Sequence, residues 1–257
     1  MVIIEFFVGC AGTGKSTLTG IYRDWLNDQP ELYAIAINFD PGAMSLPYKP
    51  DIDIRDYIRI EDVMEQYNLG PNGALVASTD LTINFLDDIK KEINELRPNH
   101  ILVDTPGQME LFAFRSSGIF ILAALGGQES VMNYLIDPNL AKRPSGFVTA
   151  IYLGLSIQTR FHVPQQYILS KIDLLSEDET DEIITWSTDF DKLENALNLE
   201  AKGERRELNT LLIQALKTLN ISGELLPISS INNIGISDLY QSVSRIALGG
   251  EDFSELT

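Results

Sequence analysis

The stretch that decides the fold is GCAGTGKST, at residues 9–17. It fits the pattern G-x-x-x-x-G-K-[ST], follows an apolar run at 2–8 and precedes an amphipathic run at 18–27. Strand, glycine-rich loop and helix in this order form a phosphate cradle. The glycines let backbone N–H groups point inward, and the helix N-terminus adds partial positive charge. The stretch therefore predicts a nucleoside-triphosphate site.

Within this loop the residue types suit a polyphosphate and its metal ion. We expect Lys15 to reach the β- and γ-phosphates, Ser16 to place its hydroxyl on Mg²⁺, and Thr17 to hydrogen-bond the α-phosphate. The backbone groups expected to line the cradle are those of Gly12, Thr13 and Gly14. The base of the nucleotide must be recognised by residues elsewhere in the chain.

Length and composition are those of one α/β domain with insertions. The chain has 257 residues, of which 44% are hydrophobic, enough for a sizeable core. Its net charge of −18 argues against direct nucleic-acid binding, which needs clustered Lys and Arg. The single cysteine, Cys10, excludes an intramolecular disulfide. With no signal-peptide pattern and no long apolar stretch, we expect a cytoplasmic protein that contacts no membrane.

Apolar, β-branched runs alternate with amphipathic runs along the chain. Strands are predicted at 2–8, 33–39, 100–104, 130–136, 166–169 and 225–228. This alternation predicts an α/β, three-layer fold with a mainly parallel sheet and helices on both faces. We expect a single domain at 1–249, helical inserts at about 112–160 and 177–219, and a short flexible tail at 250–257. The sequence GPNG at 70–73 is expected to break the chain sharply.

Polar residues fall at or just past the carboxyl ends of the predicted strands. They are Asp40, Asp104, Asp173 and Ser229. Ligands of parallel sheets bind beyond these ends, so the residues should converge on the phosphate loop. Asp104 opens the sequence DTPGQ and is expected to hold Mg²⁺, directly or through water, in a Walker B arrangement. The backbone N–H of Gly107 is expected to reach the γ-phosphate.

The sequence SKID at 170–173 resembles the guanine-reading element N/T-K-x-D. Asp173 would accept hydrogen bonds from guanine N1–H and the 2-amino group, which adenine does not offer. Serine replaces the usual asparagine, so one side-chain contact is shorter or absent. A loop at 229–231 is expected to touch guanine O6 through its backbone. The expected base-binding set is Ser170, Lys171, Asp173, Ser229 and Ser230.

In their order along the chain, these motifs resemble those of the GPN-loop GTPases, dimeric P-loop proteins of the SIMIBI class. The resemblance rests on GPN at 70–72, DTPGQME at 104–110, SGF at 145–147 and SKID at 170–173, and it covers roughly 2–247. It implies Mg²⁺-dependent hydrolysis of GTP to GDP and phosphate by a homodimeric switch. It also implies that Asn72 of one subunit is inserted near the phosphates of the other.

The resemblance further implies which residues surround the attacking water. Asp40, Gln108 and Glu110 match family positions there. Asp40 and Glu110 are favoured as the orienting group, because a carboxylate can accept a hydrogen bond from water directly. Eukaryotic relatives are linked to assembly of RNA polymerase, which suggests RNA polymerase or another large complex as a partner. The chain ends without a long acidic extension, so we expect the shorter, archaeal type.

Two other functions remain open at this point. The first is an ATPase of the MinD, partitioning or metallochaperone type, in which Asp173 would be an ordinary surface acid. The second is a scaffold that binds nucleotide without turnover. The presence of Lys15, Ser16, Asp104 and Glu110 argues against the scaffold.

Overall fold

A single sheet of seven parallel strands organises the computed structural model, which describes residues 2–200, 205–218 and 225–247. The predicted tail at 250–257 lies outside the described residues. The strand order is β3-β2-β4-β1-β5-β6-β7. The strands are β1 (Ile3–Gly9), β2 (Ala34–Asn38), β3 (Ile52–Asp53), β4 (His100–Asp104), β5 (Ser130–Ile136), β6 (Gln165–Leu169) and β7 (Leu226–Pro227).

Helices lie between most successive strands, as expected for parallel strands, whereas a loop without an α-helix joins β2 to β3. The described residues contain twelve α-helices: α1 (Lys15–Asn27), α2 (Ile60–Tyr67), α3 (Pro71–Leu81), α4 (Leu86–Leu96), α5 (Met109–Ala113), α6 (Ser116–Leu125), α7 (Pro138–Ala141), α8 (Pro144–Phe161), α9 (Glu177–Thr188), α10 (Phe190–Glu200), α11 (Arg205–Thr218) and α12 (Ile236–Ala247). None of the helices that the structure describes is long and apolar enough to cross a membrane.

The central strand β1 explains why the phosphate loop lies where it does. All seven of its residues are buried, and it pairs with β4 on one side and β5 on the other. A strand covered on both faces reads as a continuous apolar run, which is the pattern at the start of this sequence. The loop that follows it therefore opens at the middle of the carboxyl edge of the sheet.

The two faces of the sheet carry separate hydrophobic cores, so the predicted three-layer α/β architecture is confirmed. On one face, Leu18 and Tyr22 of α1 and Leu239 of α12 pack against Phe7 of β1. On the other face, the larger core includes side chains of α4, α5, α6 and α8 together with Phe6. This is the P-loop NTPase fold, with its ligand edge at the carboxyl ends of the strands.

The predicted break at 70–73 lies at the start of this stretch, because α2 ends at Tyr67 and α3 begins at Pro71. Gly70 has extended backbone angles and precedes α3, and Pro71 is the first residue of that helix. The Ala74 N–H closes the first turn on the Gly70 carbonyl at 2.9 Å. Proline suits this position because its missing N–H would have no partner there, and its fixed φ is already helical. The Gly-Pro-Asn sequence is thus a helix start with an exposed Asn72.

The span predicted as a helical insert at about 112–160 is not helical throughout, because it contains the central strand β5. Its first part forms two helices, α5 and α6, rather than one. A Cβ on Gly118 would lie 2.1 Å from the Phe112 carbonyl oxygen, so α6 turns back tightly over α5. The span predicted at 177–219 holds three helices, α9 to α11, with residues 201–204 and 219 outside the description.

Candidate active site

The phosphate loop joins β1 to α1 in the conformation that its glycines allow. Gly12 and Gly14 have φ of +78° and +93°, in the left-handed region that other residues avoid. Gly14 is the N-cap of α1 and has no side chain with which to cap the helix. The first backbone N–H groups of α1 can therefore donate to a ligand. Gly9 is needed for close packing, because a Cβ there would lie 2.7 Å from the Leu135 carbonyl oxygen.

Lys15 is buried and donates only to backbone carbonyls. Its Nζ lies 2.9 Å from the Gly9 oxygen, 3.1 Å from the Cys10 oxygen and 3.4 Å from the Gly107 oxygen. Burial lowers the pKa of Lys15, while the nearby carboxylates of Asp104 and Asp40 act in the opposite direction. Phosphate oxygens would give this ammonium group stronger acceptors than the carbonyls that it contacts here.

Asp104 ends β4 beside the loop and is 1% exposed. Its Oδ2 accepts a hydrogen bond from the Tyr48 hydroxyl at 3.2 Å, whereas its buried Oδ1 has no hydrogen-bond partner among the described residues. Burial raises the pKa of Asp104 to about 6, although the nearby Ser16 hydroxyl and Lys15 oppose this rise. Keeping this carboxylate charged and buried therefore costs free energy, of which Lys15 and Ser16 offset only a part.

The free oxygen of Asp104 fits Mg²⁺ or a water bound to it, because hard cations take oxygen ligands. The described residues contain no group of three or more His, Cys, Asp or Glu side chains that could hold a metal. A larger group is not required for Mg²⁺ at a nucleotide site, where one or two protein ligands act together with the phosphates. Ser16 and Asp104 are the residues that would hold the ion.

Asp40 follows β2 and connects two backbone segments of the site. Its Oδ2 accepts from the Gly107 N–H at 2.7 Å and its Oδ1 from the Gly42 N–H at 2.8 Å. Asn38 accepts the Asp40 N–H through its side chain at 3.0 Å, which fixes the start of the loop. The Gly107 N–H that was expected to reach the γ-phosphate is therefore engaged by Asp40 in this structure.

The remaining predicted catalytic side chains are exposed. Gln108 directly follows Gly107 and precedes α5, and Glu110 lies two residues further on, in the first turn of α5. Asn72 lies in the first turn of α3. No side-chain hydrogen bond joins Asn72, Gln108 or Glu110 to another residue in the described part of the chain. The structure thus brings Asp40, Asp104 and Gly107 together, and leaves Asn72 outside this cluster.

A cavity of about 250 Å³ lies where the phosphate loop faces the loops after β6 and β7. It brings together residues that the sequence analysis assigned to the phosphates and to the base. Its lining consists of Thr13, Gly14, Thr17, Ser170, Lys171, Asp173, Leu174, Ser230 and Ile231. Only a ligand that spans phosphate loop and strand ends would contact both groups, as a nucleoside phosphate does.

The carboxylate of Asp173 is oriented at this cavity by Ser229. Ser229 is fully buried, and its hydroxyl donates to Asp173 Oδ1 at 2.6 Å. The backbone of Ser229 is itself fixed by hydrogen bonds with Ile234 in both directions, at 3.2 and 3.0 Å. Ser229 therefore fixes Oδ1 of Asp173, and this hydrogen bond determines the orientation of the carboxylate at the cavity.

Ser170 and Lys171 shape the cavity without presenting a charge to its base side. The Ser170 hydroxyl donates to the Ile136 carbonyl oxygen at 3.0 Å, so it is directed into the sheet. Lys171 has φ of +52° and donates to the Gly12 carbonyl oxygen, and its stem lies against Gly14. Lys171 therefore connects the base loop to the phosphate loop.

Sequence reasoning missed Tyr48, which contacts the predicted metal ligand Asp104 across 56 positions of the chain. Its ring lies against Gly20 of α1, where a Cβ would come within 2.6 Å of the Tyr48 Cβ. Burial, followed by the negative charge of Asp104, raises the pKa of Tyr48, so the phenol stays protonated and donates. The only sequence signal was an aromatic residue in the loop after the strand-end Asp40.

Comparison with known proteins agrees with this geometry. A protein-family model described as "Conserved hypothetical ATP binding protein" matches residues 7–248. GPN-loop GTPase PAB0955 of Pyrococcus abyssi is 33% identical over 228 residues, which is 88% of this chain and 87% of that protein. The chain belongs to the GPN-loop GTPase family. Its predicted family membership, made from the order of motifs, is thereby confirmed.

Two further similarities define how far the family relation extends. GPN-loop GTPase 1 of Dictyostelium discoideum is 32% identical over 96% of this chain, which spans 61% of that longer protein. The crystal structure of PAB0955, a GTPase in apo form, superposes with a TM-score of 0.84 at 30% identity. It covers 95% of this chain and 97% of the PAB0955 chain, so the two share the entire GPN-loop GTPase fold.

Proposed function

We propose that this protein is a Mg²⁺-dependent GTPase that hydrolyses GTP to GDP and phosphate. The observation that carries the proposal is the cavity between the phosphate loop and the base loops, with Asp173 oriented at it by Ser229. A carboxylate in this position accepts two hydrogen bonds from guanine and meets no matching donors in adenine. The relatives named GPN-loop GTPases support the same substrate.

The alternative is an ATPase, which the words "ATP binding" in the family description favour. Substitution of Asp173 separates the two functions. If Asp173 reads guanine, Asp173→Asn loses affinity for GTP and gains affinity for xanthosine triphosphate, which carries an oxygen where guanine carries the 2-amino group. An ATPase that does not use Asp173 would show unchanged nucleotide preference. Affinities are measured by competition against a fluorescent nucleotide.

We infer an in-line attack of water on the γ-phosphate, supported by how the charged groups are held. Lys15 would exchange its carbonyl partners for phosphate oxygens, and the N–H groups of the phosphate loop would stabilise the charge that develops in the transition state. Mg²⁺, when bound at Ser16 and Asp104, would neutralise charge on the β- and γ-phosphates.

The proposed role of Asp40 follows from its two hydrogen bonds. A γ-phosphate that accepts the Gly107 N–H must displace the carboxylate of Asp40 from that donor. Asp40 would then have a free oxygen with which to orient water, as Glu110 can from the first turn of α5. The release of Asp40 thus couples arrival of the γ-phosphate to formation of the water-binding site.

We also propose that the protein acts as a homodimer in which Asn72 of one subunit approaches the phosphates of the other. Two features support this arrangement. Asn72 is exposed and makes no side-chain hydrogen bond within the described chain, and α6 exposes apolar side chains at Ile119 and Phe120. Phe114, just before α6, is exposed as well, at 45%. An apolar surface of this kind is typical of a subunit interface.

The biological role is a separate question. A role in the assembly of RNA polymerase or another large complex stays a prediction, because no feature of the described residues bears on it. The cytoplasmic location, the absence of direct nucleic-acid binding and the absence of membrane contact likewise stay predictions from the sequence.

A further inference from the structure

We propose that Tyr48 is a positioning residue for the Mg²⁺ site, acting through its hydrogen bond to Asp104. The inference rests on the proposed function, because it concerns how that site is held. The phenol donates to Oδ2 of Asp104 at 3.2 Å, and the other oxygen, Oδ1, is buried without a partner in the part of the chain that the structure describes. One oxygen of the carboxylate is thus fixed, and the other is left for a cation or its water.

The hydrogen bond from Tyr48 fixes the rotation of the Asp104 carboxylate, which packing alone does not fix. The terminal torsion of an aspartate is broad and has weak rotameric preference, so the direction of its oxygens depends on what they bind. Asp104 sits at the end of a buried strand, which fixes its Cβ but not the rotation of the carboxylate. Tyr48 supplies the missing constraint, because fixing Oδ2 determines where Oδ1 points.

Tyr48 is itself held rigidly enough to impose that direction. One side of its ring lies on Gly20, where a Cβ would come within 2.6 Å of the Tyr48 Cβ. The Arg23 guanidinium lies 5.7 Å from the ring centroid, and its Nη1 donates to the carbonyl of the next residue, Lys49, at 2.5 Å. The side chain of Tyr48 is therefore packed against α1, the helix that also contains Ser16.

The position of Tyr48 in the chain adds a link between two parts of the site. Tyr48 and Asp40 belong to the same loop between β2 and β3, and they contact the beginning and the middle of the DTPGQ segment. Asp40 and Tyr48 are therefore attached to the same stretch of backbone while they bind two different residues of that segment. The loop thus connects the water-binding side of the site to its metal-binding side.

The test compares Tyr48→Phe with wild type in nucleotide binding rather than in turnover. Phenylalanine keeps the packing on Gly20 and Arg23 and removes only the hydroxyl. We expect the Mg²⁺ concentration that half-saturates tight binding of fluorescent GDP to rise about tenfold, the loss typical of one hydrogen bond to a charged group. Affinity for GDP in EDTA should be unchanged, because Tyr48 does not line the cavity proposed for the nucleotide.

Two further variants make the test specific. Tyr57→Phe removes the same type of bond, from a phenol to the carboxylate of Glu92, away from the site, and should leave the Mg²⁺ requirement at the wild-type value. Gly20→Ala should displace Tyr48 by a steric route and raise the Mg²⁺ requirement in the same direction as Tyr48→Phe. Alanine favours the helix at this position, so any loss of thermal stability in Gly20→Ala reports the clash with Tyr48.

The outcomes separate this inference from the proposed function. A wild-type Mg²⁺ requirement in Tyr48→Phe would overturn the positioning role and leave the GTPase proposal intact. Equal weakening of GDP binding in Mg²⁺ and in EDTA would also overturn it, because it would reveal a general structural role. If wild type itself binds GDP equally well in Mg²⁺ and in EDTA, the positioning role fails, and the GTPase proposal is still decided by the nucleotide preference of Asp173→Asn.

Discussion

Removal of the buried charge at Asp104 should stabilise the nucleotide-free protein. Asp104 is 1% exposed, and burial raises its pKa from the ordinary 3.8 to about 6. The folded protein therefore binds a proton at Asp104 more tightly than the unfolded chain does. Because of this difference, the free energy of unfolding falls as pH rises from 3.8 to about 6 and beyond. The difference corresponds to about 3 kcal/mol at pH 7, and to about 2 kcal/mol at pH 5.

We expect Asp104→Asn to unfold at higher urea concentration than wild type, in EDTA and without nucleotide. Its advantage in free energy of unfolding should grow from about 2 kcal/mol at pH 5 to about 3 kcal/mol at pH 7. Asparagine keeps the shape of the side chain and carries no charge to bury. Work below pH 5 is unsuitable, because the sequence pI is about 4.4 and solubility is poor near it.

Asp53 provides the matched control, because its pKa is lowered in the folded protein whereas that of Asp104 is raised. Burial alone would raise its pKa, but hydrogen bonds from Arg55 and Asn38 outweigh that effect and lower it. The stabilisation by Asp53 is therefore present at neutral pH and is lost as pH falls through its folded-state pKa. Asp53→Asn should be less stable than wild type at pH 7. Asp104→Asn that is folded but no more stable than wild type at pH 7 would refute the claim that the buried charge of Asp104 lowers stability.

Three further predictions concern chemistry, base recognition and assembly. Glu110→Ala should lower turnover by about two orders of magnitude with little change in nucleotide affinity, and comparable losses in both quantities would refute its role at the attacking water. Ser229→Ala removes the 2.6 Å hydrogen bond to Asp173 and should weaken GTP binding about tenfold while ATP binding, measured by the same competition assay, stays constant. Phe120→Glu places a charge on the exposed apolar face of α6 and should shift the protein toward monomer in light scattering, whereas an unchanged mass would remove α6 from the interface.

Much of the fold could be predicted because the sheet is parallel and buried. Strands covered on both faces read as apolar runs, and the runs at 2–8, 100–104 and 130–136 were each found close to their predicted limits. The two-residue strand β3 gave no such signal. It pairs only through Ile37 with Ile52 and Asn38 with Asp53, so its strand character depends on β2 rather than on its own sequence.

The limits of some helices were not predicted, because they depend on tertiary contacts as well as on the local sequence. Gly-Pro-Asn indicated the break between α2 and α3 but not its extent, because a proline is also the preferred first residue of a helix. The division of residues 109–125 into α5 and α6 depends on the approach of Gly118 to the Phe112 carbonyl oxygen. That approach is a packing contact, which a hydrophobic run by itself does not reveal.

In the candidate site, too, some residues could be predicted from the sequence and others could not. Motifs with fixed spacing identified the phosphate loop, Asp104 and Asp173, since backbone cradles and strand ends impose local sequence requirements. Tyr48 belongs to no motif and reaches Asp104 only because β2 and β4 are neighbours in the sheet. The engagement of the Gly107 N–H by Asp40 was likewise invisible in the sequence, because it joins loops 67 positions apart.

Steady-state hydrolysis of GTP and of ATP, measured side by side with Mg²⁺, tests the central claim most directly. The geometry of Asp173 and Ser229 at the cavity predicts turnover of GTP with a strong preference over ATP. ATP turnover that equals or exceeds that of GTP would contradict the account, because Asp173 would then have no part in selecting the base.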